Sequence, residues 1–517
     1  MAFGPDPRKR PLVRRMLVLL ATTTAAPLIA QQPTRPIADS LPKPAPAESS
    51  VVTTRTVTID GQPIRYSARA GKLLVRDDSA NAIGSFFYVA YTRDGADLRK
   101  RPVTFVFNGG PGSSSVWLHL GSFAPVHVET NEPSFTPPPP YTVSDNPHSL
   151  IDRTDLVFID AMGTGFSRIV GKGQPKDFFG VDPDIKSFGD FIVRYTTLNN
   201  RWNSPKYLLG ESYGTTRAAG LANALQGRGV AMNGLIFVSS WLNAYVDFGS
   251  PPNSLEITYQ LYLPTMAATA WYHNKIPSRP ASLPAFLEQV KEFSLGEYQQ
   301  ALSKGSRLSD AERDAIAAKL HAYTGLSEDF LRRARLRVTP DRFQKELLRG
   351  DRRTAGRLDA RFVGIDHDAA GESPEYDASD VAIGPAFTAA FNHYVSSELR
   401  YDGGSTYLTS NYPLVGADWD NRHRVGGQRY PIADVSEDLR EVMTKNPYLR
   451  VFSASGYYDF ATPFFETDYT LQHMGLDPSL EKNITYGYYE SGHMIYLHQP
   501  ALVQMKKDLA RFYDAGR

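Results

Sequence analysis

Short apolar runs recur along this sequence and restrict its fold more than any other feature. Four of them contain almost no polar residues, as expected of strands that helices cover on both faces of a sheet. Helical patterns over 185–197 and 215–226 separate the later runs. Alternation of strands and helices predicts a mainly parallel central sheet. The four runs are Val103–Phe107, 156–159, 207–209 and 235–238.

The chain on either side of these runs carries further strand patterns. Residues 56–66 alternate between polar and apolar around the turn Asp60-Gly61, which predicts a hairpin. Residues 85–92 predict another strand. Two later strands and a terminal helix are expected at 449–453, 484–489 and 501–513.

The pattern changes after residue 246, where helical periodicity and charged residues dominate, for example over 311–321 and 329–337. This change predicts a helical cap inserted into the sheet domain. The expected divisions are a signal peptide 1–30, a linker 31–50, a first part of the core 51–245, the cap 246–380 and a second part of the core 381–517.

The first thirty residues predict export. A basic start precedes an apolar stretch from Met16 to Ala30, shorter than the roughly 20 residues of a membrane span. This pattern is typical of a secretory signal peptide, with cleavage expected after Ala30 and cleavage after Ala26 left open. We therefore expect no stable membrane insertion after cleavage. Residues 31–50 contain five prolines and favour an extended linker.

Charge and cysteine content exclude several classes of protein. The 56 basic and 55 acidic residues nearly cancel, so no general field attracts nucleic acid. The absence of cysteine excludes disulfides, thiolate metal sites and a cysteine nucleophile. Export without disulfides indicates a bacterial periplasmic or secreted protein. The oligomeric state is left open.

The strongest local motif is Gly210-Glu211-Ser212-Tyr213-Gly214, which lies between a predicted strand and a predicted helix. A nucleophile elbow requires this context, because its sharp turn exposes the serine above the sheet. Within the motif, Ser212 is therefore the candidate nucleophile.

A serine hydroxyl becomes a nucleophile when a histidine takes its proton and an acid orients that histidine. Asp459 and His493 each follow a later apolar strand, in the order serine, aspartate, histidine that α/β hydrolases use. The sequence therefore predicts an α/β-hydrolase fold with an inserted helical cap, and a catalytic triad of Ser212, Asp459 and His493. This chemistry requires no metal and no organic cofactor.

A glycine-rich loop over 108–115 directly follows the first apolar run. Its glycines let the backbone approach a substrate, where exposed N–H groups stabilise an oxyanion. Its place after an early strand, where α/β hydrolases keep half of the oxyanion hole, favours this function over a plain turn.

Taken together, these motifs resemble the serine carboxypeptidases, in particular their bacterial members. The matching motifs follow the family's order between residues 108 and 500. They are the glycine loop 108–115, Asn-Pro-His-Ser-Leu at 146–150, Phe-Ile-Asp and Gly-Thr-Gly-Phe-Ser within 158–167, Gly-Glu-Ser-Tyr-Gly at 210–214, and Gly-His-Met and Gln-Pro within 492–500.

The resemblance implies catalytic roles for the matching residues. It makes Ser212 the nucleophile, His493 the general base and then acid, and Asp459 the partner that orients His493. It also assigns the oxyanion hole to the backbone N–H groups of Gly110 and Tyr213.

The resemblance further implies that Asn108 and Glu211 bind the C-terminal carboxylate of the substrate. A buried glutamate beside that carboxylate has a raised pKa, so the two groups share a proton. The family's second glutamate is absent, and His119 stands at the comparable place. The sequence assigns no role to His119.

We therefore predict a serine-type carboxypeptidase that removes C-terminal residues of peptides through an acyl-enzyme on Ser212. Three related activities stay open: a prolyl aminopeptidase-like peptidase, an esterase and an acyltransferase on the same scaffold. A non-catalytic envelope binding protein is a further alternative, but such a protein often lacks a triad residue, and here all three candidates are present.

Overall fold

The computed structural model describes residues 47–246 and 255–516, which fall in one compact unit. The predicted signal peptide, 1–30, lies outside the described residues, as does most of the predicted linker, 31–50.

The described end of the predicted linker is bound to the sheet. The backbone N–H of Leu74 donates to the Glu48 carboxylate at 2.8 Å, and that of Lys72 donates to the Ser49 carbonyl at 3.0 Å. The first strand begins at Ser50. The last residues of the predicted linker therefore belong to the edge of the fold.

Strands occur mainly in the first half of the chain and again near its end. They are β1 Ser50–Ile59, β2 Gln62–Arg76, β3 Ala82–Arg93, β4 Val103–Phe107, β5 Val126–Val128, β6 Val143–Asp145, β7 Asp155–Ile159, β8 Arg168–Ile169, β9 Lys206–Ser212, β10 Gly234–Ser240, β11 Arg353–Ala355, β12 Val363–Ile365, β13 His423–Val425, β14 Gln428–Tyr430, β15 Arg450–Gly456 and β16 Ile484–Tyr489.

Helices alternate with the parallel strands and fill most of the segment between β10 and β15. They are α1 Val116–Leu118, α2 Val181–Leu198, α3 Tyr213–Gly227, α4 Ile257–Tyr272, α5 Leu283–Phe293, α6 Gln299–Lys304, α7 Asp310–Thr324, α8 Glu328–Arg333, α9 Pro340–Glu346, α10 Ala378–His393, α11 Tyr412–Ala417, α12 Ser436–Lys445, α13 Phe464–His473, α14 Pro478–Glu481 and α15 Gln499–Asp514.

The central sheet has the strand order β1-β2-β3-β7-β4-β9-β10-β15-β16, with β8 beside β3. The first strands pair antiparallel, and β1 turns into β2 at Asp60 and Gly61, whose φ angles are 50° and 74°. In this order, every neighbouring pair of the run β7-β4-β9-β10-β15-β16 is parallel. The predicted hairpin, the mainly parallel sheet and the α/β-hydrolase class are confirmed.

The parallel strands are apolar on both faces because helices cover both. In β4, Phe105 and Phe107 belong to one apolar cluster, whereas Val106 between them belongs to the cluster on the opposite face. Alternate residues of a strand point to opposite faces, so an uninterrupted apolar run is what a covered central strand needs.

Between β10 and β15, no described residue adds a strand to the central sheet. Helices α4 to α9 pack around a third apolar cluster, which also contains Tyr458, Phe460 and Phe464 from the chain after β15. The helical segment is thereby joined to the loop that carries Asp459. A cap domain bounded at 246 and 380 stays a prediction.

Within the described ranges, none of the helices combines the length and the apolar character needed to cross a membrane.

Candidate active site

A cavity of about 550 Å³ opens at the carboxyl edge of the parallel strands. Ligands of open α/β sheets gather at this edge, because the loops that follow the strands meet there. Loops after β4, β9, β15 and β16 all contribute to its wall, as does the helical segment. The wall includes Asn108, Gly110, Glu211, Ser212, Tyr213, Asp341, Arg357, Asp377, Asp380, Tyr412, Thr462 and His493.

Ser212 lies at the junction of β9 and α3 in a strained backbone conformation. Its φ and ψ angles are 60° and −132°, a combination that non-glycine residues rarely adopt. A Cβ atom on Gly210 would collide with the carbonyl oxygen of Gly214, and one on Gly214 would lie 2.7 Å from the carbonyl oxygen of Phe107. Gly210 is therefore required for the turn that presents Ser212 to the cavity, and Gly214 for the close approach of β4 to that turn.

Asp459 and His493 are bonded to each other beneath the same cavity. His493 Nδ1 donates to Asp459 Oδ2 at 2.8 Å. The other contacts of the carboxylate come from the two residues that close its turn: the N–H groups of Ala461 and Thr462 donate to Oδ1 at 2.7 and 3.0 Å. The Thr462 hydroxyl donates to Oδ2 at 2.8 Å and lies 3.2 Å from His493 Nδ1. The carboxylate is thus held in one orientation toward the imidazole.

The pKa of His493 reflects a competition between burial and charge. Burial would lower it, but the charge and the hydrogen bond of Asp459 outweigh burial and raise the pKa above its ordinary value. The carboxyl group of Glu211 acts in the same direction. The site therefore stabilises the imidazolium that forms when a histidine takes a proton from a serine.

The glycine loop lies directly against the elbow. A Cβ atom on Gly109 would be 2.5 Å from the backbone nitrogen of Tyr213 and 2.6 Å from that of Gly214. Gly110, with a φ of 107°, and Tyr213 both line the cavity beside Ser212. The backbones of the two loops are thus in close contact at the cavity that Ser212 lines.

Asn108 and Glu211 meet at the floor of the cavity. The Asn108 amide donates to Glu211 Oε1 at 3.0 Å, and both side chains are buried. Burial raises the pKa of Glu211 to about 7, although His493, Tyr496 and Asn108 lower it in part. Within the described ranges, Glu211 Oε2 is buried and forms no hydrogen bond of regular geometry, although the Tyr496 hydroxyl interacts with the carboxyl group and lowers its pKa. A protonated oxygen at this place can donate to an anionic group of a ligand.

A buried ion pair supports this floor from below. Arg217 bonds to Asp184 at 2.7 Å and donates to the backbone carbonyl of Asn108 at 2.7 Å. The Tyr213 hydroxyl donates to the same Asp184 carboxylate at 3.1 Å. The glycine loop and the residue after the serine are therefore tied to one buried carboxylate.

His119 lies in the core and does not contribute to the wall of the cavity. Its Nε2 is 2.6 Å from the Tyr91 hydroxyl, and its ring stacks on Phe158 with 4.4 Å between the centroids. Burial lowers its pKa to about 3, so the ring is neutral. His119 is a satisfied core histidine and does not replace the missing glutamate.

Two further residues at the cavity were missed by the sequence analysis. Thr462 could have been found from the sequence. An aspartate commonly forms a turn in which its carboxylate accepts N–H groups of the residues that follow, and Thr462 is three residues after Asp459. Arg357 could not be found in this way: it lies in an arginine-rich stretch about a hundred residues before Asp459 and reaches the site through the fold alone.

No group of three or more histidine, aspartate or glutamate side chains that could hold a metal ion occurs in the part of the chain that the structure describes.

The sheet order and the serine on a strand–helix elbow define an α/β hydrolase. A solved prohormone-processing carboxypeptidase of Saccharomyces cerevisiae has the same fold, with a TM-score of 0.54 and 19% identity over 87% of this chain and 91% of that chain.

The model of the serine carboxypeptidase family matches residues 61–239, about a third of the chain. The matched range includes the glycine loop and Ser212 and ends before Asp459 and His493.

Two curated relatives match shorter parts of the chain. A serine carboxypeptidase-like protein of Arabidopsis thaliana is 27% identical over 31% of this chain and 30% of its own length. The pheromone-processing carboxypeptidase of Saccharomyces cerevisiae is 31% identical over 30% of this chain and 22% of its own length. The matches therefore cover less than a third of either relative.

Proposed function

We propose that this chain is a serine-type carboxypeptidase that hydrolyses the C-terminal peptide bond of peptides. The observation that carries the proposal is the pair of Asn108 and Glu211 beside Ser212. A carboxyl group with a pKa of about 7 can donate a hydrogen bond to a substrate's terminal carboxylate, which an ionised glutamate would repel. The match of the serine carboxypeptidase family model over 61–239 and the similarity to two carboxypeptidase-type relatives support this proposal.

In the proposed mechanism, Ser212 attacks the carbonyl carbon of the scissile bond while His493 takes the serine proton. Asp459 stabilises the imidazolium, and the N–H groups of Gly110 and Tyr213 donate to the oxyanion. His493 then gives its proton to the leaving amine, which leaves an acyl-enzyme on Ser212. A water that His493 deprotonates releases the acyl group and restores the serine.

Replacement of the nucleophile tests the assignment of Ser212. Ser212→Ala should lose both peptide hydrolysis and labelling by a fluorophosphonate probe, because no other group of the proposed triad can form the acyl-enzyme. Circular dichroism and thermal unfolding should match the parent protein. Labelling that persists in Ser212→Ala would contradict the assignment.

Blocked peptides distinguish the proposed activity from its rivals. An N-blocked peptide with a free C-terminus should be cut, whereas the same peptide with a C-terminal amide should be cut poorly. Cleavage only of peptides with a free N-terminus would identify an aminopeptidase instead. Product formed on an added alcohol, faster than hydrolysis, would identify an acyltransferase.

We also propose that the helical segment 246–380 acts as a cap that shapes the cavity, since Asp341, Arg357 and Asp377 from this segment line it. Export to the periplasm or the medium is proposed on the pattern of residues 1–30 alone. The N-terminal residue of protein recovered from culture medium or periplasm would distinguish cleavage after Ala26 from cleavage after Ala30.

A further inference from the structure

Arg357 presents a guanidinium group to the catalytic cavity. It lies between β11 and β12, its side chain is exposed, and it forms part of the cavity wall that also contains Ser212 and His493. Within the described ranges, its guanidinium has neither a hydrogen bond nor an ion pair. Its N–H donors are therefore available to a ligand, and guanidinium geometry matches a carboxylate through two parallel hydrogen bonds.

The backbone around Arg357 is fixed to both loops that carry the histidine and its acid. The Arg357 carbonyl accepts from the N–H of Phe460 at 3.0 Å, one residue after Asp459. The carbonyl of Leu358 accepts from the N–H of His493 at 2.6 Å. The position from which the Arg357 side chain extends is thus set relative to the reacting groups.

The charge of Arg357 influences two other residues of the cavity wall, His493 and Tyr412. It lowers the pKa of His493 on one side and that of Tyr412 on the other, although neither effect is the largest on its group. Tyr412 lies against the glycine loop, since a Cβ atom on Gly110 would be 3.2 Å from its ring. A substrate bound at Ser212 therefore lies within the field of this cation.

Three aspartates line the same cavity as Arg357 and give it a negative surrounding. Asp377 has already accepted the N–H groups of Arg357 and Leu358 and the hydroxyl of Ser379. Asp341 and Asp380 also line the cavity. These carboxylates repel a carboxylate of a bound substrate unless a cationic side chain binds that carboxylate directly.

We propose that Arg357 binds a carboxylate of the substrate and sets the preference of the cavity for anionic substrates. This inference rests on the proposed hydrolysis at Ser212. The carboxylate has two possible sources: the C-terminus of the peptide, in addition to Asn108 and Glu211, or an acidic side chain near the scissile bond. Arg357 is a specificity-determining residue for either source.

The test compares Arg357→Gln and Arg357→Lys on three N-blocked dipeptide substrates. The first has neutral side chains and a free C-terminus, the second is the methyl ester of the first, and the third is a methyl ester with a glutamate side chain. Arg353→Gln is the matched control, because Arg353 is an exposed arginine of the same stretch outside the cavity wall.

Arg357→Gln should raise KM about tenfold or more for substrates that carry the bound carboxylate, with kcat little changed, because a charge-assisted pair is lost. Arg357→Lys should raise KM less, since the charge remains. A rise on the free acid alone identifies the terminal carboxylate. A rise on the glutamate ester alone identifies the side chain, and a rise on both identifies both sources.

The proposal is overturned if Arg357→Gln changes KM equally for all three substrates, the neutral ester included, or leaves all three unchanged. If the proposed carboxypeptidase activity itself is wrong, the parent protein would give a different result with the three substrates. In that case the parent protein would hydrolyse the esters but not the free acid, and the two esters would still test Arg357.

Discussion

Burial changes the chemistry of Glu211 within the proposed site. As an ordinary glutamate it would be ionised at neutral pH, but burial at the floor of the cavity raises its pKa to about 7. The hydrogen bond from Asn108 holds one carboxyl oxygen, and no described residue forms a hydrogen bond of regular geometry with the other oxygen. The side chain can therefore change from a donor to an anion within the neutral pH range.

This change leads to a prediction for substrate binding. KM for an N-blocked peptide with a free C-terminus should rise as the pH increases through about 7, because Glu211 then loses the proton that it shares with the carboxylate. Glu211→Gln should remove this rise, since a glutamine cannot ionise. KM is measured against pH for both proteins, with the C-terminal ester as control. A flat KM in the parent protein would refute the shared proton.

Thr462 provides a second prediction at this scale. Thr462→Val keeps the shape of the side chain but removes the hydroxyl that donates to Asp459. A hydrogen bond to a charged group contributes about 1.5–3 kcal/mol, so kcat should fall about tenfold to a hundredfold while KM stays constant. Steady-state kinetics would measure this. Thr462→Ser restores the hydroxyl and should recover most of kcat, whereas a loss shared by Thr462→Ser would point to packing instead.

At the scale of elements, the site depends on the close contact between two loops. The glycine loop after β4 meets the junction of β9 and α3, and Gly109 leaves no room for a side chain. Because β4 and β9 are parallel neighbours, both loops emerge at the same edge of the sheet. The oxyanion geometry is therefore a property of two adjacent strand ends.

Gly109→Ala should test this contact. The added methyl group would press on the backbone of Tyr213 and Gly214 and displace the proposed oxyanion donors, so we expect kcat to fall at least about a hundredfold, the loss typical of one oxyanion donor. Gly227→Ala is the control, because its Cβ would meet no atom of the described residues within 4 Å. Full activity in a folded Gly109→Ala protein would show that the loop adapts.

At the scale of the whole molecule, ion pairs between distant segments join the sheet to the chain that returns to it. His423 in β13 is 2.7 Å from Asp182 in α2 and 2.7 Å from Asp438 in α12. Burial would lower its pKa, but the two carboxylates raise it to about 9. The histidine is therefore cationic at neutral pH and connects three elements.

This pKa predicts how stability changes with pH. The folded pKa lies above the unfolded value of about 6.5, so the contribution is fully present below about pH 6.5 and is lost as the pH rises through about 9. His423→Gln should lower the free energy of unfolding by up to about 3 kcal/mol near pH 6, and by little above pH 9. Denaturant unfolding of both proteins across this range measures the difference. A difference that is constant with pH would exclude the charged histidine as its source.

Local patterns in the sequence were sufficient to predict most strands and helices of the central sheet domain. The apolar runs, the Asp60-Gly61 turn and the helices around Ser212 were predicted close to their observed bounds, because each depends on residues near one another in the chain. The sequence also predicted that the candidate residues lie at one edge of the sheet, because the carboxyl ends of parallel strands are on one side. These residues are Asn108, Ser212, Asp459 and His493.

The sequence by itself thus determined the sheet, the elbow and the order in which the candidate residues occur. Only the tertiary structure decided the environments of individual side chains. His119 is a core residue because Tyr91 and Phe158 surround it. Arg357 reaches the cavity because its backbone and that of Leu358 bond to two loops more than a hundred residues away. Burial and charge depend on such long-range packing, which no local pattern encodes.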